Sequence, residues 1–567
     1  MQYAVLLYLL SFCGDEPLGL PCEISGIFQL FQTSNLKCDE VYWEEVFVPK
    51  GGILFSKILS GTIYGCESHL VYVEVDISSG LPCLVMVGCP GGEVKESGER
   101  VRIALKNVGI GLPPMHIAVN LSPADLKKEG TGFDLPVAVG VLIAMGQLPP
   151  ACAGDMLVMG ELGLSGEVKK VRGVLPIAID AVKNGINRCL VPRENVKEAA
   201  AVGMKAVGIA NLGQAIAYLK LSPKEQGNFL AETGKEGDFG ALREEGKQLQ
   251  EDFSEIVGQE GVKRAALIAA AGFHHLLITG PPGTGKTMIA RRLATILPPL
   301  SEEESLEVSS IYSISGRLSG QRGLIRERPF LSPHHTISPQ ALSGGGRIPR
   351  PGAISLAHRG ILFLDELTEF KRQTLDLLRQ PLEDKEIHIA RSRDSFTFPA
   401  DVMLVGAMNP CPCGYYPDVN RCRCTPYERH NYLSRLSGPV LDRIDLCVEA
   451  ARVEFSQLQS GKRGEGSASM GKKVMIARAR QGERYRGTGI RFNSDLGAGE
   501  LEKYCPLGVE EKKMAEKMFH SLSLSARAYH KLLKVARTIA DLDKSAQIKG
   551  KHLAEAACYR AADYFEK

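Results

Sequence analysis

The chain has 567 residues, 44% apolar and 23% charged, with a net charge of +3. It is too long for a single core and fits two or three ordinary globular domains. The near-balanced charge excludes a chain-wide affinity for nucleic acid, so any such surface is local. No apolar run reaches the roughly 18 residues of a membrane span.

Residues 1–53 carry little helix or strand periodicity. The opening MQYAVLLYLLSFCGDE holds a short apolar stretch with no Lys or Arg before it and no clean small-x-small site after it, so it is not read as a secretory signal. Lys50-Gly51-Gly52 back-translates to a purine-rich AAGGAGG just ahead of Leu54. The expectation is that translation begins at Leu54 and that 1–53 is not native; a lineage-specific extension is the alternative.

From Leu54 the text alternates. LFSKILSGTIYG and HLVYVEVDIS read as strands, SGERVRIALKNVGI as a helix, and MHIAVNLSPADL as a strand and turn. FDLPVAVGVLIAMGQL and VLPIAIDAVKNGI are candidate buried helices. Residues 54–220 therefore form a compact α+β domain, followed by a polar, Gly-bearing linker over 221–252.

A β/α pattern runs over 253–458. The strand-like Leu276–Thr279 leads into Gly280-Pro281-Pro282-Gly283-Thr284-Gly285-Lys286-Thr287 and then a helical text, the context a P-loop requires. Glycines let amides turn toward phosphates, Lys286 reaches the β- and γ-phosphates, and the Thr287 hydroxyl holds Mg²⁺. GILFLDE is a buried strand ending in two acids: Asp365 orients Mg²⁺ and Glu366 polarises the attacking water. Asn409, ending VMLVGAMN, positions the same water. These residues predict ATP hydrolysis.

Directly after Asn409 stand Cys411, Cys413, Cys422 and Cys424, spaced C-x-C-x8-C-x-C. Two such knuckles supply four soft ligands, which suits a structural tetrahedral Zn²⁺; a redox pair or an unmetallated loop is the alternative. The other cysteines of the 15 are scattered, so the set reads as reduced thiols plus a metal site in a reducing compartment. A second Gly/Ser/Lys-rich break, 459–473, reads as a flexible linker, and 474–567 as helical. Basic runs occur at Arg317, Arg322, Arg326 and Arg328, and at Lys472, Lys473, Arg478, Arg480, Arg484, Arg486 and Arg491, the latter interleaved with Tyr485 and Phe492. Basic residues with stacking aromatics suit a single strand, though each run alone is equally a solvated face.

The stretches VNLSPADLKKEGTGFDLP, RPFLSPHHT, PGAISLAHRGILFLDEL, LSGPVLDRIDL and LSARAYHKLLKVARTIADL resemble the ComM/YifB family, magnesium-chelatase-like AAA+ ATPases with an N-terminal Lon-protease-like domain. The resemblance covers about nine-tenths of the chain and includes the four cysteines. It implies an α/β multidomain fold: a Lon-like, ribosomal-S5-like front domain, a P-loop AAA+ parallel sheet and a helical lid. It implies hexameric rings with ATP sites between subunits. Arg443 in LDRIDL is then the arginine finger acting in trans, or Arg435 in YLSRLSG in its place, and Arg527 the sensor-2 arginine of the lid.

Lon-type catalysis needs a serine and a lysine, but those positions fall on Gly132 and near Leu175, which can neither attack nor accept a proton. The front domain is therefore expected to be structural or ring-forming. The run from Arg317 to His334–His335 corresponds to the chelatase-type insertion that projects toward the ring pore, with the two histidines as pore-loop or packing residues. The expected protein is a cytoplasmic, homo-hexameric ATPase using ATP, Mg²⁺ and Zn²⁺. It would move on single-stranded or branched DNA in recombination or natural transformation, with recombination proteins as possible partners. The competing readings are a chelatase-like protein remodeller and an ATP-dependent protease.

Overall fold

The computed structural model describes residues 55–222, 225–226, 251–318, 323–346, 348–391, 395–452 and 464–560. The expectations for 1–53 and Arg322, and most of those for the 221–252 linker, lie outside the described residues.

The front domain is built on β1 (Phe55–Tyr64), β2 (Glu67–Ser78), β3 (Cys83–Val87), helix α1 (Ser97–Asn107), β4 (His116–Ser122), α2 (Asp134–Ala144), β5 (Leu157–Val158), the short hairpin β6 (Glu161–Leu162) and β7 (Val168–Lys169), α3 (Val174–Lys183), β8 (Arg188–Pro192), β9 (Lys205–Ile209) and α4 (Leu212–Lys220). Its seven-stranded mixed sheet runs β3-β4-β2-β1-β5-β8-β9. Alternation in β2 and β4 buries Val71, Val73, Val75, Ile117, Val119 and Leu121 on one face. Helix α2 has no polar stripe and is buried at every residue, as its sequence predicts. It packs close enough that a Cβ on Gly140 would stand 2.8 Å from Val75 Cγ2.

The second half contains α5 (Glu260–Gly272), β10 (Leu276–Thr279), α6 (Lys286–Ile296), α7 (Glu302–Ser315), β11 (Phe330–Leu331), the hairpin β12 (Gly344–Gly345) and β13 (Arg350–Pro351), β14 (Ile361–Leu364), the hairpin β15 (Glu386–Ala390) and β16 (Ser395–Pro399), β17 (Met403–Met408) and β18 (Leu446–Glu449). Five strands form a parallel sheet in the order β11-β14-β17-β10-β18. β10, β14 and β17 are buried throughout, which explains why they read as unbroken apolar runs. This mixed α/β architecture is compatible with an AAA+ fold.

Helices α8 (Ser467–Arg484), α9 (Val509–Ser521), α10 (Ala526–Leu542) and α11 (Gly550–Ala557) close the chain. They share one apolar cluster with α5, α6 and the parallel sheet. The 459–473 linker is corrected in part, because α8 begins at Ser467. Ser467 Oγ accepts from the Phe253 amide at 3.0 Å, and its own amide donates to Asp252 Oδ2 at 3.1 Å. Small polar residues that read as linker here open a helix.

The two halves meet where α7 lies on α3. The Gly173 amide donates to Ser313 O at 3.1 Å, Ser313 Oγ donates to the buried Glu198 at 2.7 Å, and Lys170 Nζ donates to Leu318 O at 2.7 Å. Within the C-terminal helices the fully buried Asp541 pairs with Arg484 and with Arg537, itself 1% exposed. Asp541→Ala would leave two guanidiniums without a counter-charge in the core, a loss of about 3–5 kcal/mol. Calorimetry should register a clearly lowered unfolding midpoint; an unchanged midpoint contradicts this account of the helical packing.

Candidate nucleotide site and cysteine cluster

Sheet register builds the site. Thr279 lies beside Met408 and Leu364 beside Gly406, so Gly280, Asp365 and Asn409 emerge together beyond the same ends of three adjacent strands. Gly280 cannot be enlarged, since a Cβ there would stand 2.5 Å from Ala450 O. Gly283 and Gly285 both take positive φ, 78° and 82°, and Lys286 then begins α6.

The Lys286 ammonium donates to Gly280 O at 2.8 Å, Pro281 O at 2.9 Å and Asn409 Oδ1 at 3.1 Å. Burial holds its pKa below the usual lysine range, opposed by the charges of Asp365 and Glu366. Thr287 Oγ1 donates to Asp365 Oδ2 at 2.7 Å, so the two oxygens expected to flank Mg²⁺ already face each other. Lys286, Thr287, Asp365 and Asn409 are thus brought together. Glu366 stands at their edge with its side chain 62% exposed and its backbone at φ 51°, a left-handed conformation uncommon outside glycine.

Sequence reasoning missed one neighbour. His335 Nδ1 lies 3.5 Å from Glu366 Oε2, because β11 pairs with β14 and delivers RPFLSPHHT to that strand's end. The adjacent histidines were visible in the text, but only the strand pairing aims one of them at the carboxylate.

The three arginines are engaged within the chain. Arg443 pairs with Glu383 and donates to Pro439 O at 2.6 Å, leaving its side chain 9% exposed. Arg527 reaches the same Glu383 at 3.5 Å. Arg435 is half exposed, 3.3 Å from Glu369.

The four cysteine sulfurs lie within 4.8 Å of one another. Cys411 to Cys413 is 3.4 Å, Cys413 to Cys422 3.7 Å, and Cys411 to Cys422 3.8 Å. A tetrahedron with Zn–S bonds of about 2.3 Å has S···S edges of about 3.8 Å. Burial raises the Cys413 thiol, but the Tyr415 amide and neighbouring thiols outweigh it and bring its pKa to about 6. Burial raises Cys424 to about 12, and Cys422 also shifts up. The donor set fits zinc.

The predicted DNA contacts divide. Arg317, Arg326, Lys472 and Lys473 are exposed. Arg328 is not available: its side chain is 4% exposed, 2.7 Å from Glu304, and it donates to two backbone carbonyls. Arg478 lies over the Phe492 ring at 3.7 Å and donates to Arg491 O at 2.6 Å, and burial lowers it to about 10. Arg480 donates to Ser545 O at 3.5 Å. Tyr485 and Phe492 are core residues, 3% and 1% exposed, so the expected stacking platform is absent there. Gly132 and Thr131 line a cleft of about 420 Å³ between the two halves, with Lys127 and Lys170 on one side and Arg350 and Phe396 on the other, while Leu175 is fully buried.

Residues 252–458 match the family described as magnesium chelatase, subunit ChlI; residues 73–195 match subunit ChlI of Mg-chelatase, and 464–560 its C-terminal region. An uncharacterised protein YifB of Escherichia coli is 44% identical over 88% of this chain and 96% of its own length. Competence protein ComM of Haemophilus influenzae is 43% identical over 89% of this chain and 97% of its own. The chain belongs to the ComM/YifB family. The 38 kDa magnesium-chelatase subunit of Rhodobacter capsulatus is 31% identical over 28% of this chain and half of its own. For this ComM/YifB-family chain, these relationships and the strand-end geometry together support an AAA+ ATPase using ATP and Mg²⁺. Among the described residues no helix is long and apolar enough to cross a membrane. Protein prepared without chelator should carry about one zinc per chain by elemental analysis; well under one contradicts the metal site.

Proposed function

We propose that this chain is a cytoplasmic AAA+ motor that assembles as a homo-hexamer and spends ATP hydrolysis on moving along or remodelling DNA. The observation that carries the ATPase reading is the junction of Lys286, Thr287, Asp365 and Asn409 at three strand ends. On ATP binding, Lys286 exchanges its two loop carbonyls and the Asn409 oxygen for phosphate oxygens, and the glycine-loop amides face the same charge. Thr287 and Asp365 would hold the Mg²⁺, which would supply neutralisation of phosphate charge. Glu366 takes a proton from the attacking water as the water oxygen bonds to the γ-phosphorus, Asn409 orients that water, the bond from the γ-phosphorus to the β–γ bridging oxygen breaks, and ADP and inorganic phosphate leave. His335 is placed to steady the Glu366 carboxylate between turnovers.

Arg443 or Arg435 acts on the γ-phosphate of a neighbouring subunit. Arg435 is freer to do so, whereas Arg443 must first leave Glu383. Arg527 acts from the lid. The front domain serves as a structural or ring-forming module, because Gly132 and the buried Leu175 supply neither nucleophile nor base.

The DNA role rests on the relative named competence protein ComM and on exposed Arg317, Arg326, Lys472 and Lys473. A protein-remodelling ATPase is the second reading, favoured by the match to a magnesium-chelatase subunit and by the loss of Arg328 and Arg478 from the free basic set.

Lys286→Ala should abolish nucleotide binding. Glu366→Gln should keep binding and lower turnover by about 10²–10⁴; equal turnover would remove Glu366 from the mechanism. Steady-state ATPase at low salt should rise with forked or single-stranded DNA, accompanied by strand displacement. No binding and no stimulation would favour protein remodelling.

A further inference from the structure

The cysteine loop also touches the phosphate loop. Cys411 follows two residues after Asn409, and the Gly414 amide donates to Cys411 O at 2.9 Å where the backbone turns at φ 82°. At that turn the loop meets Pro282. A Cβ on Gly414 would stand 2.6 Å from Pro282 Cδ and 3.7 Å from Asn409 Cγ, so the two loops approach closely at this glycine. Asn409 in turn accepts from Lys286.

A second grip lies beside the first. The Tyr415 ring sits under the Arg452 guanidinium at 5.0 Å. Two residues before Arg452, Ala450 donates its amide to Thr279 O at 2.7 Å, and its carbonyl closes over Gly280. The knuckle thus touches the phosphate loop at Pro282 and holds the strand end that covers the loop's first glycine.

Turn hydrogen bonds from the Asp418 and Cys422 amides and the Arg429 guanidinium 3.9 Å over the Tyr416 ring also shape this loop, but its apolar core is small. Between Cys411 and Cys424 only Cys411 and Gly414 are buried, and Val419 is 87% exposed. A segment with so small an apolar core takes a fixed form only if its ligands are fixed, and four thiolates on one cation do that.

We propose that the cysteine knuckle is a metal-dependent strut of the nucleotide site: a bound Zn²⁺-class cation fixes Gly414 and Tyr415, which hold Pro282, Asn409 and Gly280 in the nucleotide-binding arrangement. The inference rests on the nucleotide and zinc readings given above and adds their coupling. The cation takes no part in hydrolysis; its loss acts through the position of the phosphate loop, where displacements of about 1 Å are costly.

The test measures zinc content and affinity for a fluorescent ADP analogue on the full-length protein. The Cys413→Ser/Cys422→Ser variant, and wild type stripped with a chelator, are expected to lose zinc and bind the nucleotide about tenfold or more weakly. Zinc, but not magnesium, added back to stripped wild type restores affinity. Gly414→Asn keeps a residue that tolerates positive φ but drives a Cβ toward Pro282; it is expected to retain zinc and still lose affinity.

Four results overturn the proposal, each at a different point. Wild type that binds no nucleotide defeats the nucleotide reading, and wild type without zinc defeats the metal reading. A zinc-free chain with wild-type affinity defeats the coupling. Gly414→Asn with both zinc and affinity intact defeats the contact through Gly414.

Discussion

Everything at the candidate site depends on one ammonium. Lys286 is the first residue of its helix, half-buried, and surrounded by two loop carbonyls and the Asn409 amide oxygen. Burial pulls its pKa down, and the nearby Asp365 and Glu366 carboxylates only partly offset that desolvation. The arrangement requires β10, β14 and β17 to lie adjacent and parallel, because only then do Gly280, Asp365 and Asn409 emerge side by side. Strand order and site geometry are therefore one constraint.

Much of this was legible in the text. GPPGTGKT and ILFLDE are dense local patterns whose residues are fixed by the chemistry of phosphate and Mg²⁺, so reading them needs no knowledge of distant partners. The four cysteines were legible for the same reason. Helix α2 could be read as buried because its sequence offers no polar face.

What was not legible depended on side-chain partners far away in sequence. Arg328 and Arg478 count as positive charges in the chain, yet Glu304, carbonyl oxygens and the Phe492 ring consume them. Tyr485 and Phe492 alternate with basic residues as a nucleic-acid platform would, but their rings fill the core. His335 could not be linked to Glu366 without the pairing of β11 with β14. The start of α8 was hidden because Gly466 at its N-cap and the serines of its first turn resemble a linker. In each case composition reports the residue, and only the fold reports what already occupies it.

The central proposal is that the Lys286 site is a hydrolytic site completed by an arginine from a neighbouring subunit. Mixing two inactive chains tests it most directly: Lys286→Ala, which cannot bind nucleotide, and an Arg435→Ala/Arg443→Ala chain, which binds but cannot complete its neighbour's site. Intact sites should form where an arginine-deficient subunit binds ATP beside a Lys286→Ala subunit that still supplies its arginines, so the mixture should recover ATPase activity absent from either chain alone. A mixture shown to co-assemble and remaining as inactive as its components would contradict the account.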